Sequence, residues 1–154
     1  MGKCIVILDG ISEGKSTFDR VAKKNNYWVW NVNHRNVLSV LTRKLYWNGK
    51  KDLHYYNFIE EFESLCNEYW EFDFEYINKM IQTFMENEKA TLLVVHNCTN
   101  ENKDKLQELY PTTAFSVFIS EDDVVNEEYS KTINCRSEDY ENKILEVLNI
   151  LTKE

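Results

Sequence analysis

The sequence is poor in the residues that bend a chain. One proline and four glycines in 154 residues are too few for the many tight turns of an all-β domain. Four cysteines, Cys4, Cys66, Cys98 and Cys135, contain no Cys-x-x-Cys pair, which argues against a structural zinc site built on thiolates. Arginine is scarce, with Arg20, Arg35, Arg43 and Arg136 the whole supply. A net charge of -8 leaves little basic surface, so no nucleic-acid partner is expected. No apolar run approaches the roughly 18 residues that a membrane-spanning helix needs, and no signal-peptide pattern opens the chain. The expectation is a soluble cytoplasmic protein with reduced thiols and no membrane partner.

What is present suits a folded core. Hydrophobic residues make up 43% and aromatics 14%, well above a disordered composition. The length fits one domain over residues 1–154. Residues 3–8 form a continuous apolar run, which reads as a strand buried on both faces. A helix is expected from about Lys15 to Asn25. Further strands are read at 27–32, 90–95, 114–119 and, more weakly, 129–134. Helical stripes lie between them: Val37, Val40, Leu41 and Leu45; Phe58, Ile59, Phe62, Leu65 and Cys66; Phe74, Ile77, Ile81, Phe84 and Met85. Residues 100–110 read as a helix stopped by Pro111. A last helix follows Ser137, with Tyr140, Ile144, Val147, Leu148 and Leu151 on its apolar face. Strands alternating with helices imply βαβ units and a parallel sheet covered on both faces.

The specific motif is Asp9-Gly10-Ile11-Ser12-Glu13-Gly14-Lys15-Ser16-Thr17. It follows the first strand and opens a helix, as a phosphate-binding loop does. In such a loop backbone N–H groups cradle phosphate oxygens, helped by the helix dipole. Lys15 would reach the β and γ phosphates, and the Ser16 hydroxyl would ligate Mg²⁺. Only the first glycine of the G-x-x-x-x-G-K-[ST] spacing is missing, replaced by Asp9. That acid either holds Mg²⁺ through water or spoils the turn. Glu13 adds a second carboxylate near the phosphates, where it repels them unless it points outward.

The chain resembles small P-loop kinases of the nucleoside and deoxynucleoside monophosphate kinase-like, adenylate kinase-like group of phages and low-GC bacteria. Beyond the loop, Trp47 to Asp52 is similar to that group's G-W-x-G-x-K-D segment. The stretches from Thr91 to Ser120 and from Tyr129 to Leu151 are similar to its later blocks. The resemblance implies a three-layer α/β P-loop NTPase fold with a five-stranded parallel sheet and helices on both faces. It implies ATP and Mg²⁺ as donor and a nucleotide as substrate. Carried over by position, Gly10, Ile11, Ser12, Glu13, Gly14, Lys15, Ser16 and Thr17 would hold the donor phosphates, with Ser16 and Asp9 at the metal. Arg35 would face the acceptor phosphate, with Arg43, Lys44, Lys50 and Lys51 as further candidates.

The departures are as informative. The polar motif after the third strand reads His96-Asn97-Cys98-Thr99, without the usual acid or arginine. Tyr56 stands where an arginine often follows the Lys-Asp pair. Phosphoryl transfer depends on cations to offset charge spread over the moving group, and this chain supplies few. Two functions therefore stand side by side. One is transfer of the ATP γ-phosphate to a (deoxy)nucleoside monophosphate or similar acceptor. The other is a catalytically impaired relative that binds nucleotide or a protein partner as a regulatory module. A GTPase-like switch is disfavoured, since no Asn-Lys-x-Asp motif occurs. His34 reads as a surface histidine, His96 as a strand-end residue able to orient water. A Cys98–His96 nucleophilic pair is weakly motivated. Trp28 and Trp30 share one sheet face and are expected to pack in the core.

Overall fold

The computed structural model describes residues 2–45 and 50–152. Its elements run β1 (Cys4–Gly10), α1 (Ser12–Lys24), β2 (Val29–Val32), α2 (His34–Lys44), α3 (Leu53–Trp70), α4 (Phe72–Glu86), β3 (Leu92–Val95), α5 (Asn100–Leu109), β4 (Ala114–Ser120), β5 (Lys131–Asn134) and α6 (Tyr140–Leu151). The five strands form one sheet in the order β2-β3-β1-β4-β5, and every pairing is parallel. Residues 47–49 of the Trp47-to-Asp52 segment lie outside the described residues.

The continuous apolar runs do what a doubly buried strand requires. Cys4, Val6 and Leu8 of β1 face one core, together with Phe18, Val21 and Ala22 of α1 and Ile144 and Leu148 of α6. Ile5 and Ile7 face the other, against Ile77, Ile81 and Phe84 of α4 and Leu106 of α5. Phe18 and Phe84, one per face, are fully buried, and each such ring stabilises the fold by roughly 2–3 kcal/mol through area removed from water. The result is three layers, helix on sheet on helix.

A third, smaller cluster lies away from the sheet, where Leu38, Tyr55, Ile59 and Cys66 join α2 to α3, with Phe62 and Phe72 packed against them. Each helix here has a readable start. The Asn33 side chain caps α2 by accepting from Arg35 N, and Asp52 caps α3 by accepting from Tyr55 N. Glu71 alone joins α3 to α4, in the left-handed conformation with φ 51°.

Several expectations change, among them Leu65 and Met85, which are exposed rather than on the buried stripes of α3 and α4. The buried face of α2 is His34, Leu38 and Thr42, while Val40, Leu41 and Leu45 of the expected stripe are exposed. Trp28 is 55% exposed rather than in the core; only Trp30 packs inward, edge-on to Phe84 with centroids 6.0 Å apart. And α1 begins at Ser12, earlier than Lys15.

Candidate functional site

In a doubly wound parallel sheet, ligands sit outside the carboxyl ends of the strands, where neighbouring connections leave on opposite faces. Here that place lies between β1 and β3. The connection from β1 carries α1 on one face and that from β3 carries α5 on the other. The Asp9–Thr17 motif and His96 both fall there.

The chain leaves β1 without forming a wide loop. Gly10 has φ 113° and stays paired to β4, so that a Cβ on it would lie 2.0 Å from the Ile119 carbonyl oxygen. Only glycine fits. Ile11 N donates to the same carbonyl at 3.0 Å, and α1 starts at the next residue. Gly14, Lys15, Ser16 and Thr17 are therefore helical residues. Lys15 N donates to Ile11 O at 3.0 Å. The Ser16 hydroxyl donates to Ser12 O and the Thr17 hydroxyl to Glu13 O, both at 3.2 Å. Gly14 is buried against the sheet: a Cβ would meet Ile119 Cγ2 at 2.3 Å and Cys135 Cβ at 3.0 Å. Its carbonyl accepts the Tyr140 hydroxyl at 2.7 Å. The second glycine thus serves close helix–sheet packing.

Asp9 is equally engaged. One carboxylate oxygen accepts from Gly10 N and the other from the Tyr129 hydroxyl, both at 2.8 Å. Tyr129 packs on Phe118, with centroids 5.1 Å apart, and the buried ammonium of Lys103 lies 4.1 Å from its ring centre. Burial, then the Asp9 carboxylate, raises the Tyr129 phenol above its ordinary range. Glu13 points out, its carboxylate 3.9 Å from Arg136.

Beside α1 opens a cleft of about 400 Å³, lined by Ser12, Lys15, Ser16, Asp19, Asn31 and His96. A chain of hydrogen bonds fixes its floor. Asn31 Nδ2 donates to Asp19 at 2.9 Å, which turns the amide oxygen toward His96 Nε2, also at 2.9 Å. His96 Nε2 therefore carries the hydrogen, and Nδ1 holds a lone pair in the neutral ring. Burial, then the charge of Lys15, lowers the His96 pKa, with Asp19 opposing. Asp19 is neutralised by Lys23 at 2.9 Å. The uncompensated charge of the cleft is Lys15. Ile11, at the N-cap of α1, offers no side-chain hydrogen bond, so the first-turn amides keep their partial positive charge for an anion.

The other expected residues are not gathered here. Arg35, 49% exposed in its side chain, sits in the first turn of α2 and pairs with Glu63 at 3.4 Å. Arg20 pairs with Glu141 and Arg136 with Glu121, at 2.8 and 3.2 Å. Burial, then the charges of Asp73 and Asp9, pushes the Cys98 thiol up to about 12, away from the thiolate that a nucleophile needs. His34 is not a surface residue. It is 1% exposed and faces two carboxylates, Glu63 and Asp73. Sequence reading misses this cluster because its members sit on three different helices.

Two solved structures align with nearly the whole chain. A mutant of the APS kinase of Mycobacterium tuberculosis shares 12% identity over 99% of each chain, with a TM-score of 0.52. A de novo designed protein of P-loop NTPase fold shares 11% identity over 97% of this chain and 90% of its own, with a TM-score of 0.49. No protein-family model matches the sequence, and no curated protein does. The likeness is one of fold: a P-loop NTPase fold with a five-stranded parallel sheet.

Such folds imply a triphosphate and its Mg²⁺, and the residues as folded do not fit that pair. The amide of Lys15 is bonded within α1, and the Ser16 hydroxyl and both Asp9 oxygens have partners of their own. What remains in the cleft is one lysine, one histidine and a helix N-terminus.

Proposed function

We propose that the protein binds a phosphate-bearing small molecule, a nucleotide first, in the Lys15–His96 cleft, as a catalytically impaired relative of P-loop kinases that serves a regulatory role. The observation that carries this is the pairing of an intact Lys15, in a cleft at the carboxyl edge of β1 and β3, with a motif folded into helix. A phosphate there meets the Lys15 ammonium, the Ser12 hydroxyl and the first-turn amides of α1. His96 lines the floor of the cleft, and the attraction comes from Lys15 and the helix N-terminus. No arginine fork is at hand: three of the four arginines are paired with carboxylates elsewhere.

The test is calorimetric titration with ATP, with and without Mg²⁺, on the wild type and Lys15→Ala. The expected result is binding that needs Lys15 and is indifferent to Mg²⁺. Failure to bind at millimolar ATP would overturn the reading.

A second reading is transfer of the ATP γ-phosphate to a (deoxy)nucleoside monophosphate. It is favoured by the retention of Gly14-Lys15-Ser16-Thr17 directly after β1, and by likeness in fold to a kinase. It requires the first turn of α1 to unwind, releasing the Ser16 hydroxyl from Ser12 O and the Gly14 carbonyl from Tyr140. Mg²⁺-dependent turnover of any member of a monophosphate panel would decide for it.

A further inference from the structure

The corner where α2, α3 and α4 meet holds a group of side chains that the Lys15 cleft does not use. His34 opens α2, Glu63 lies midway along α3, and Asp73 lies in the first turn of α4. Their ligand-type atoms, one ring nitrogen and two carboxylate oxygens, all lie within 4.8 Å of one another. His34 Nε2 is hydrogen-bonded to Glu63 and lies 3.3 Å from Asp73 Oδ2. The backbone holds the arrangement: Glu71 makes the one-residue turn, and Asp73 N donates to the Asn67 side chain at 2.9 Å.

Two features set this cluster apart from an ordinary ion pair. First, its residues are inside the protein: the side chains of His34, Asp73 and Glu63 are 1%, 8% and 13% exposed. Second, protein groups do not complete it. Asp73 Oδ1 and His34 Nδ1 are buried with no hydrogen-bond partner. A buried carboxylate oxygen without a donor is costly, and it belongs to the same carboxylate whose other oxygen faces the ring. A cleft of about 280 Å³ between α4 and α5, lined by Asp73 together with Asn67, Thr99 and Lys105, reaches one member of the cluster.

We propose that His34, Glu63 and Asp73 bind a divalent transition metal, zinc first, through one imidazole nitrogen and two carboxylates. An ion among the three would take His34 Nε2, an oxygen of Glu63 and the Asp73 carboxylate, whose Oδ1 has no protein partner. One histidine with two acids suits zinc better than magnesium, which prefers an all-oxygen shell with several waters. A 2+ ion there would meet two carboxylates and one imidazole nitrogen, a ligand set of matching charge. Arg35, paired to the outer oxygen of Glu63 at 3.4 Å, holds that carboxylate in place as a second-layer partner.

The site is independent of the phosphate-binding reading. The experiment is calorimetric titration of the full chain with Zn²⁺ at pH 7, with Co²⁺ absorption as a second readout of coordination. The expected result is one tight site per chain and Co²⁺ bands of low-coordinate geometry. Asp73→Asn and Glu63→Gln, which conserve volume, should each weaken Zn²⁺ by more than about 10-fold, the lower end of what loss of even an outer-layer partner costs. His54→Ala, on the exposed first turn of α3, should leave it unchanged. Where a carboxylate variant fails to fold, ¹⁵N shifts of the wild-type His34 ring on Zn²⁺ addition decide: a large shift at Nε2 is expected. Binding that survives both carboxylate variants, an unmoved His34 ring, or no stoichiometric binding would each overturn the assignment.

Discussion

Two histidines near the carboxyl edge of the sheet show how neighbours decide what one residue type does. His96 ends β3 and donates to the amide of Asn31, with Lys15 nearby. His34 follows β2 and donates to carboxylates. Burial works against the charged ring in both. In His96 the charge of Lys15 adds to it, and the pKa falls. In His34 the hydrogen bonds and charges of Asp73 and Glu63 outweigh burial, and the pKa rises to about 9. One histidine lines the cleft beside Lys15. The other is a buried ring held between carboxylates of two neighbouring helices. The lesson extends to the regions around them. Next to His96 the polar groups of Asp9, Ser16 and Thr17 all have partners; next to His34 two buried atoms have none.

The strongest way to break the comparison is at Gly10. Gly10→Ala places a methyl against the Ile119 carbonyl at a backbone angle that alanine resists. A loss of about 3 kcal/mol is expected in urea unfolding, from strain and overpacking together. Near-wild-type stability would mean that the chain after β1 is free to open as a loop. Next comes Asp73→Ala, which leaves the imidazolium with Glu63 alone. A cost of roughly 2–3 kcal/mol at pH 7 follows from unbalancing a buried charge group.

The same contrast predicts opposite pH dependences. The folded pKa of His34, about 9, exceeds the 6.5 of the free ring. Its contribution is complete below pH 6.5 and is lost as pH rises through about 9. His96 has its folded value below 6.5, so its contribution is present above pH 6.5 and is lost as pH falls. Asp73, held below 3.8 by His34 against the effect of burial, loses its contribution as pH falls below 3.8. Urea midpoints of the metal-free wild type should decline on the alkaline side, and that decline should vanish in Asp73→Asn,Glu63→Gln. A smaller effect sharpens the β1–α1 side: Tyr140→Phe removes the hydroxyl from Gly14 O and should cost about 1 kcal/mol. Smallest of all, Lys15→Ala should change stability by less than about 0.5 kcal/mol while abolishing phosphate binding.

Much of the fold is legible in the sequence because buried parallel strands are written as unbroken apolar runs, as in Cys4–Leu8 and Leu92–Val95. The helices of the core are legible for a similar reason: Ile77, Ile81 and Phe84 recur with helical spacing. The face of α2 is misread because it buries His34, whose partners Glu63 and Asp73 lie on other helices, and Thr42, whose hydroxyl is satisfied inside the helix by Leu38 O. The motif falls at the junction of β1 and α1, as its strand-to-helix context predicts, yet its shape depends on contacts far along the chain. Ile119 crowds Gly10 and Gly14, Tyr129 engages Asp9, and Tyr140 engages Gly14. No local spacing encodes those three.

Amide hydrogen exchange at Lys15 and Ser16, without nucleotide, tests the central claim most directly. With the motif folded as the first turns of α1, Lys15 N bonded to Ile11 O should already exchange slowly in the free protein. Fast exchange in the free protein, with protection appearing only when Mg²⁺–ATP is added, would contradict the account and reveal a working phosphate loop.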